Sequence, residues 1–268
     1  MKLEKIVSWL DQTLNVAAFD DVSNNGIQIE RDQGLGIRDE GSGIGDEGSG
    51  IGDEGSGIGD QVKVVAFAVD ASVKAVKAAA KAGAQLLVVH HGISWGGGIK
   101  RIEGGVYNVV KAAMDANLAI YACHLPLDAH PVLGNNAQLA KLLGLKRVKP
   151  AFNYHGNVIG LLGVLEKPEA LEALVSLDHL DQLVAPLTLG VCSGGAGEFA
   201  VEAKRLGCDL YLTGEASWGD VIAAENCGME MICAGHYETE VFGVRAVAKA
   251  MAKALKLKTV DLSQNGRI

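Results

Sequence analysis

From residue 62 onward the chain alternates short apolar runs with segments of helical spacing, and this alternation restricts the fold to one class. The runs at 62–69, 86–89 and 118–123 read as strands. Helices at 72–82 and 107–116 separate them, and a helix at 137–143, ended by Gly144, follows. Consecutive βα units build a mainly parallel sheet, whose strands are apolar on both faces because helices cover them. A second series opens at residue 157, with strands at 158–165, 187–192, 209–213 and 231–234 and helices at 168–177, 198–206 and 217–226. The expected architecture is α/β: two interlinked halves, 1–156 and 157–268, with mainly parallel sheets. Ahead of them, Leu3, Ile6, Val7, Leu10 and Leu14 stand at helical spacing, and residues 23–29 read as a turn and a short alternating strand.

Three of the strand ends carry the same chemistry. The run Leu86-Leu87-Val88-Val89 delivers His90, His91 and Gly92; the run at 118–123 delivers His124 and Asp128; the run at 231–234 delivers Gly235, His236 and Glu240. Ligands of open α/β sheets sit outside the carboxyl ends of the strands. Imidazole with carboxylate is a ligand set for a divalent transition metal. The five residues His90, His91, Asp128, His236 and Glu240 exceed the three protein ligands of an ordinary catalytic zinc site. Two metals sharing the carboxylates use them better, at the junction of the halves, to which the C-terminal segment returns. Adjacent strand residues point to opposite faces, so His90 and His91 are expected to converge through a strand break at Gly92. Thr239 reads as the N-cap of a last helix running to about residue 255, which places Glu240 in its first turn.

Composition narrows the rest. No apolar run approaches a membrane span, and the amphipathic, acid-bearing start is no signal peptide. Five cysteines without CxxC spacing read as buried thiols in a reducing cytoplasm. Of the net charge of −8, residues 33–60 hold seven acids and one Arg, which leaves the rest near neutral. No basic run marks a nucleic-acid groove. Residues 39–59 are three copies of Asp-Glu-Gly-Ser-Gly-Ile-Gly, too rich in glycine for a coiled coil; the insertion 31–60 reads as a flexible surface loop rather than a calcium array. The turn Ser193-Gly194-Gly195-Ala196-Gly197, between a strand and a helix, has the form of a phosphate cradle but lacks the Walker lysine and the GxGxxG spacing.

Six segments together resemble one family. They are Ser23-Asn24-Asn25-Gly26-Ile27-Gln28, Ala68-Val69-Asp70-Ala71, His90-His91-Gly92-Ile93-Ser94-Trp95, His124-Leu125-Pro126-Leu127-Asp128-Ala129-His130-Pro131 with Gly134-Asn135-Asn136 behind it, Thr213-Gly214-Glu215, and Gly235-His236-Tyr237-Glu238-Thr239-Glu240. The chain resembles the GTP cyclohydrolase 1 type 2 homologues, also called NGG-interacting-factor-three-like proteins, over essentially all but residues 31–60. The resemblance implies a two-part α/β subunit with a two-metal centre, and a toroidal homohexamer whose centres face an internal cavity. Its metal positions fall on His90, His91, Asp128, His236 and Glu240.

The reaction expected is metal-assisted hydrolysis of a nucleotide, for example opening of a guanine imidazole ring. A phosphoesterase or nuclease using the same two metals, and a non-catalytic metal-binding scaffold, are the alternatives. Mixed N/O ligands accept Fe, Mn, Zn, Co or Ni. His124 and Glu215 read as residues that orient a ligand or hand over a proton. Trp95 and Trp218 are candidates to stack a base, while His130 orients its loop and His155 and His179 read as structural or surface residues.

Overall fold

The computed structural model describes residues 1–32, 61–176 and 182–265. The repeat at 39–59 and His179 lie outside the described residues. In chain order the strands are β1 (Gly26–Ile29), β2 (Val64–Asp70), β3 (Leu86–His91), β4 (Ala119–Ala122), β5 (Lys146–Tyr154), β6 (Asn157–Leu165), β7 (Leu187–Cys192), β8 (Leu210–Thr213), β9 (Glu230–Cys233) and β10 (Lys258–Asp261). They form two five-stranded sheets, ordered β1-β4-β3-β2-β10 and β5-β6-β7-β8-β9. The first is parallel except for β1. The second is parallel from β7 to β9 and antiparallel from β5 to β7. The fold is mixed α/β with mostly parallel sheets, as the alternation predicts.

The helices are α1 (Leu3–Leu14), α2 (Val73–Lys81), α3 (Gly104–Asp115), α4 (Leu125–Ala129), α5 (Asn135–Leu142), α6 (Ala200–Arg205), α7 (Trp218–Cys227) and α8 (His236–Leu255). Strand residues divide between two cores by parity. Val65, Phe67 and Val69 of β2 pack with α1 and with Val244, Val247 and Met251 of α8. Ala66 and Ala68 pack with Ala75, Val76 and Ala79 of α2. Both faces of β2 are therefore dry, which is why its sequence is continuously apolar rather than alternating. Helix α8 also meets α5: the Gly243 N–H donates to Asn135 Oδ1 at 2.7 Å, and a Cβ on Gly243 would stand 2.6 Å from that oxygen. It thus links the halves and carries its N-terminus to the ends of both sheets.

Several expectations are corrected. Strand β5 was not anticipated: Lys146, Arg147, Val148, Lys149 and Pro150 are exposed on the sheet edge, where proline and charge are tolerated and little burial signal is left. The division between 156 and 157 falls in the β5–β6 connection, so the second sheet starts at Lys146, and β10 joins the first sheet. The helix expected at 168–177 is a 3-10 helix over Pro168–Ala173. Cys123, Cys192 and Cys208 are buried, but Cys227 is half-buried and Cys233 exposed. No described helix is long and apolar enough to cross a membrane.

Candidate metal centre

Strand β3 runs unbroken through both histidines, with Asp70 opposite His91 in register. It ends at His91, so the break expected at Gly92 falls there, after both histidines rather than between them. Side chains at a strand end lean along the strand direction, and a single carboxylate spans the remaining distance: His90 Nε2 lies 3.4 Å from Glu240 Oε1, and His91 Nε2 3.2 Å from Glu240 Oε2. Gly92 serves another purpose. A Cβ there would collide with the Gln28 amide, whose Oε1 accepts from the N–H groups of Ile93 (2.6 Å) and Ser94 (3.1 Å).

The second contribution follows β4. Helix α4 presents Asp128, whose Oδ1 accepts from Asn135 Nδ2 at 2.8 Å and Ser193 Oγ at 2.9 Å. Its Oδ2 lies 3.4 Å from His90 Nε2. The His124 ring lies 5.1 Å from that of His90 and 5.7 Å from that of His91, so it belongs to the cluster itself. Asp21, which sequence reasoning missed, holds it: Oδ1 takes the His124 Nδ1 hydrogen bond at 2.9 Å, and Oδ2 accepts from Leu125 N–H and Asn25 Nδ2. Burial pushes the Asp21 carboxyl up, but His124 and the other donors outweigh it and leave its pKa below the usual value.

The third contribution is α8. It begins at His236, not at Thr239, with Gly235 as N-cap at φ 93°. His236 and Glu240 are therefore one turn apart on the same helix face, with Nε2 to Oε1 at 3.2 Å. Thr239 instead faces the Gly-rich turn, accepting the Gly194 N–H at 3.0 Å. The neighbouring amides of Ser193 and Ala196 go to Asn136 Oδ1 and Thr213 Oγ1. With those N–H groups committed inside the protein, the turn is a packing device against Glu240 rather than an anion cradle.

All four imidazoles share one design. Nδ1 of His90 donates to the Cys123 carbonyl, and Nδ1 of His91, His124 and His236 donates to Asp70, Asp21 and Glu215, each at 2.9 Å. Such outer partners fix the tautomer and turn Nε2 toward the centre. Three groups, His90/His91/His124, His91/His236/Glu240 and His90/Asp128/Glu240, each hold their donor atoms within 4.8 Å of one another. Two buried atoms at the centre, His90 Nε2 and Glu240 Oε2, have no hydrogen-bond partner among the described residues. Unsatisfied buried polar atoms are costly, and a divalent cation satisfies both, so the donor set fits a metal.

The electrostatics of the protein side chains agree with this. Burial opposes charge on the His91 ring, but Asp70 and Glu240 overcome it and raise its pKa to about 10. The bond to Glu240, then the other acids, raises His236 to about 9. Burial works against the Glu240 charge, yet the three imidazoles hold its pKa well below the usual carboxylate range. Beside the cluster lies a cavity of about 510 Å³. Trp95 lines it, whereas Trp218, the other stacking candidate, is highly exposed at the start of α7.

Asp21→Asn tests the outer support. An amide cannot accept at both oxygens as the carboxylate does, so His124 loses its fixed orientation. The expected result is a metal affinity lower by roughly 10–100-fold with the fold retained, measured by chelator competition and circular dichroism. Unchanged affinity would mean that His124 takes no part in holding metal.

The Duf34/NIF3 (NGG1p interacting factor 3) family model matches residues 51–265. A protein of Pyrococcus horikoshii named "GTP cyclohydrolase 1 type 2 homolog" is 36% identical, covering 97% of each chain. One of the same name from Deinococcus radiodurans is 37% identical, covering 91% of this chain and 86% of its own. Among solved structures, protein ybgI superposes with a TM-score of 0.78 at 28% identity, covering 98% of both chains.

Proposed function

The chain belongs to the Duf34/NIF3 family, and from that premise we propose that it is a hydrolase acting on nucleotides with two divalent metal ions per subunit. His90, Asp128 and Glu240 hold one ion, and His91, His236 and Glu240 the other, with His124 beside them. The ions are Fe, Mn, Zn, Co or Ni. When bound, they supply Lewis acidity that makes water nucleophilic near neutral pH. The chain supplies the rest. Asp70, Asp21, Glu215 and the Cys123 carbonyl hold the imidazole protons on Nδ1. Asn135 and Ser193 fix one oxygen of Asp128 and leave the other facing His90. The cavity beside His91 and His236 admits the substrate. The observation that carries this reading is that two buried atoms facing one another's side chains, His90 Nε2 and Glu240 Oε2, make no hydrogen bond among the described residues. A toroidal homohexamer in the cytoplasm, its centres facing an internal cavity, belongs to the same proposal.

Elemental analysis joined to a turnover screen tests it. Wild type and Asp128→Ala are purified without added metal, reconstituted, and incubated with GTP and other nucleotides, with ring opening and phosphate release read separately. Close to two ions per wild-type subunit, a clear loss in the variant and metal-dependent turnover are expected. Metal without turnover of any nucleotide overturns the hydrolase reading in favour of a scaffold. No metal after reconstitution overturns the centre itself.

A further inference from the structure

A second cavity, of about 480 Å³, lies between α4–α5 and the β5–β6 hairpin. It backs onto the metal side, sharing Asp128 and Ile159 with the cavity already described. Its lining is mostly apolar, with Ala137 and Ala140 from α5, Val148 and Pro150 from β5, and Val158 from β6. Val148 and Val158 are each 44% exposed, so the apolar lining continues to the surface. Apolar surface left open to water favours a ligand that covers it. The polar groups of the lining are spent, with one exception. Asp128 Oδ1 accepts from Asn135 and Ser193, and its Oδ2 faces His90. Asn136 donates to the Ile159 carbonyl and accepts the Ser193 N–H. His130 Nδ1 accepts from the N–H groups of Val132 and Leu133, and the ring also bonds the Thr13 backbone. Lys141 is left, exposed and one turn beyond Ala137 on the same face of α5. Lys146, Arg147 and Lys149 are exposed on β5, beside Val148. None of these four cations makes an ion pair among the described residues, where Asp128 is the one acid lining the cavity.

We propose that this second cavity binds a medium-chain monocarboxylate, its alkyl body along the apolar lining and its carboxylate at the Lys141 ammonium. An alkyl chain asks for no hydrogen bond where the lining has none to give, and the charged head stays at the wet mouth, beside a cation. The volume lies within the range of small-molecule sites. The site is separate from the metal centre: the one metal-ligand residue it touches, Asp128, turns both carboxylate oxygens to other partners.

The test is equilibrium dialysis of decanoate, octanoate and decylamine, below micelle formation, against the full-length chain as purified. Decanoate is expected to bind roughly tenfold tighter than octanoate, the effect of burying two further methylenes, and tighter than decylamine. Excess acetate, which would compete for a metal ion, does not displace it. Ala137→Leu places a larger side chain in the cavity at a position suited to helix and abolishes decanoate binding. Lys141→Glu, a surface change, weakens decanoate by roughly tenfold at low salt and brings decylamine above it, an inversion that fades as salt is raised. Unfolding curves and sedimentation show that both variants keep the fold and assembly of the wild type. No binding of decanoate, no gain over octanoate, displacement by acetate, undiminished binding by Ala137→Leu or an unchanged preference in Lys141→Glu overturns the proposal. Retention on phosphatidylglycerol vesicles without binding of free decanoate overturns it in favour of a membrane-facing surface. Altered sedimentation of either variant without decanoate binding by the wild type overturns it in favour of a contact between copies of the chain.

Discussion

Replacing Glu240 by alanine is expected to abolish metal binding and to weaken the metal-free fold. One carboxylate faces three imidazoles, with Oε1 near His90 and His236 and Oε2 near His91. Its removal takes a donor from two of the three ligand groups at once. The loss in affinity therefore exceeds the roughly 10–100-fold produced by changing an outer partner. Without metal, Glu240 is the buried counter-charge of the cluster, and removing one partner of such a set costs about 3–5 kcal/mol. The pH dependence carries the sign. The His91 pKa, raised from 6.5 to about 10, and that of His236, raised to about 9, stabilise the metal-free fold fully below about pH 6.5 and lose that contribution as pH rises through 9–10. The alanine variant should show a flatter decline over that window in denaturant titrations. Metal binding runs the other way, because it displaces protons and tightens as pH rises. Glu240→Gln, which nearly keeps the volume, separates lost charge from lost packing. A variant that still holds two ions would remove Glu240 from the centre.

The parallel sheets were legible because their strands are buried on both faces, so each reads as an apolar run. Strand β5 was not, because an edge strand with Lys146, Arg147, Lys149 and Pro150 resembles a loop. The start of α8 was misread for a related reason. Thr239 has the chemistry of an N-cap, but Gly235 at φ 93° turns the chain one helical turn earlier. That shift puts His236 and Glu240 on one face of a helix, a stronger arrangement than a loop residue followed by a helix residue.

The donor side chains were legible because the carboxyl ends of parallel strands converge, so His and acid there are informative without any contact map. Their supports were not. Asp21 reaches His124, and Ser193 reaches Asp128, across separations of 103 and 65 residues. No periodicity encodes such pairs; only the closing of both sheets on one junction creates them. The convergence of His90 and His91 needs more than the end of the strand at Gly92. The strand rule gives opposite faces, but it leaves out a shared carboxylate arriving from α8.

Gly194→Ala is expected to damage the centre without touching a donor atom. Gly194 sits at φ 68°, in the left-handed region, and a Cβ there would collide with Glu240 Oε1. Left-handed backbone costs a non-glycine residue about 1–2 kcal/mol. The collision adds to this, because the Glu240 carboxylate, 3% exposed and surrounded by imidazoles, has no free direction in which to yield. Either the carboxylate moves off His90 and His236 or the turn lifts, and lifting strains the Gly194 N–H bond to Thr239 and the Ser193 bond to Asp128. Both routes disturb donor atoms in two of the three groups that could hold a metal, so metal affinity should fall by roughly 10–100-fold. Gly219→Ala is the control: its nearest contact would be Ser217 Oγ at an ordinary 3.6 Å. If the turn were a phosphate cradle, the alanine would weaken inorganic phosphate binding and spare the metal. Loss of metal with phosphate binding unchanged is the outcome that the committed amides of Ser193, Gly194 and Ala196 require.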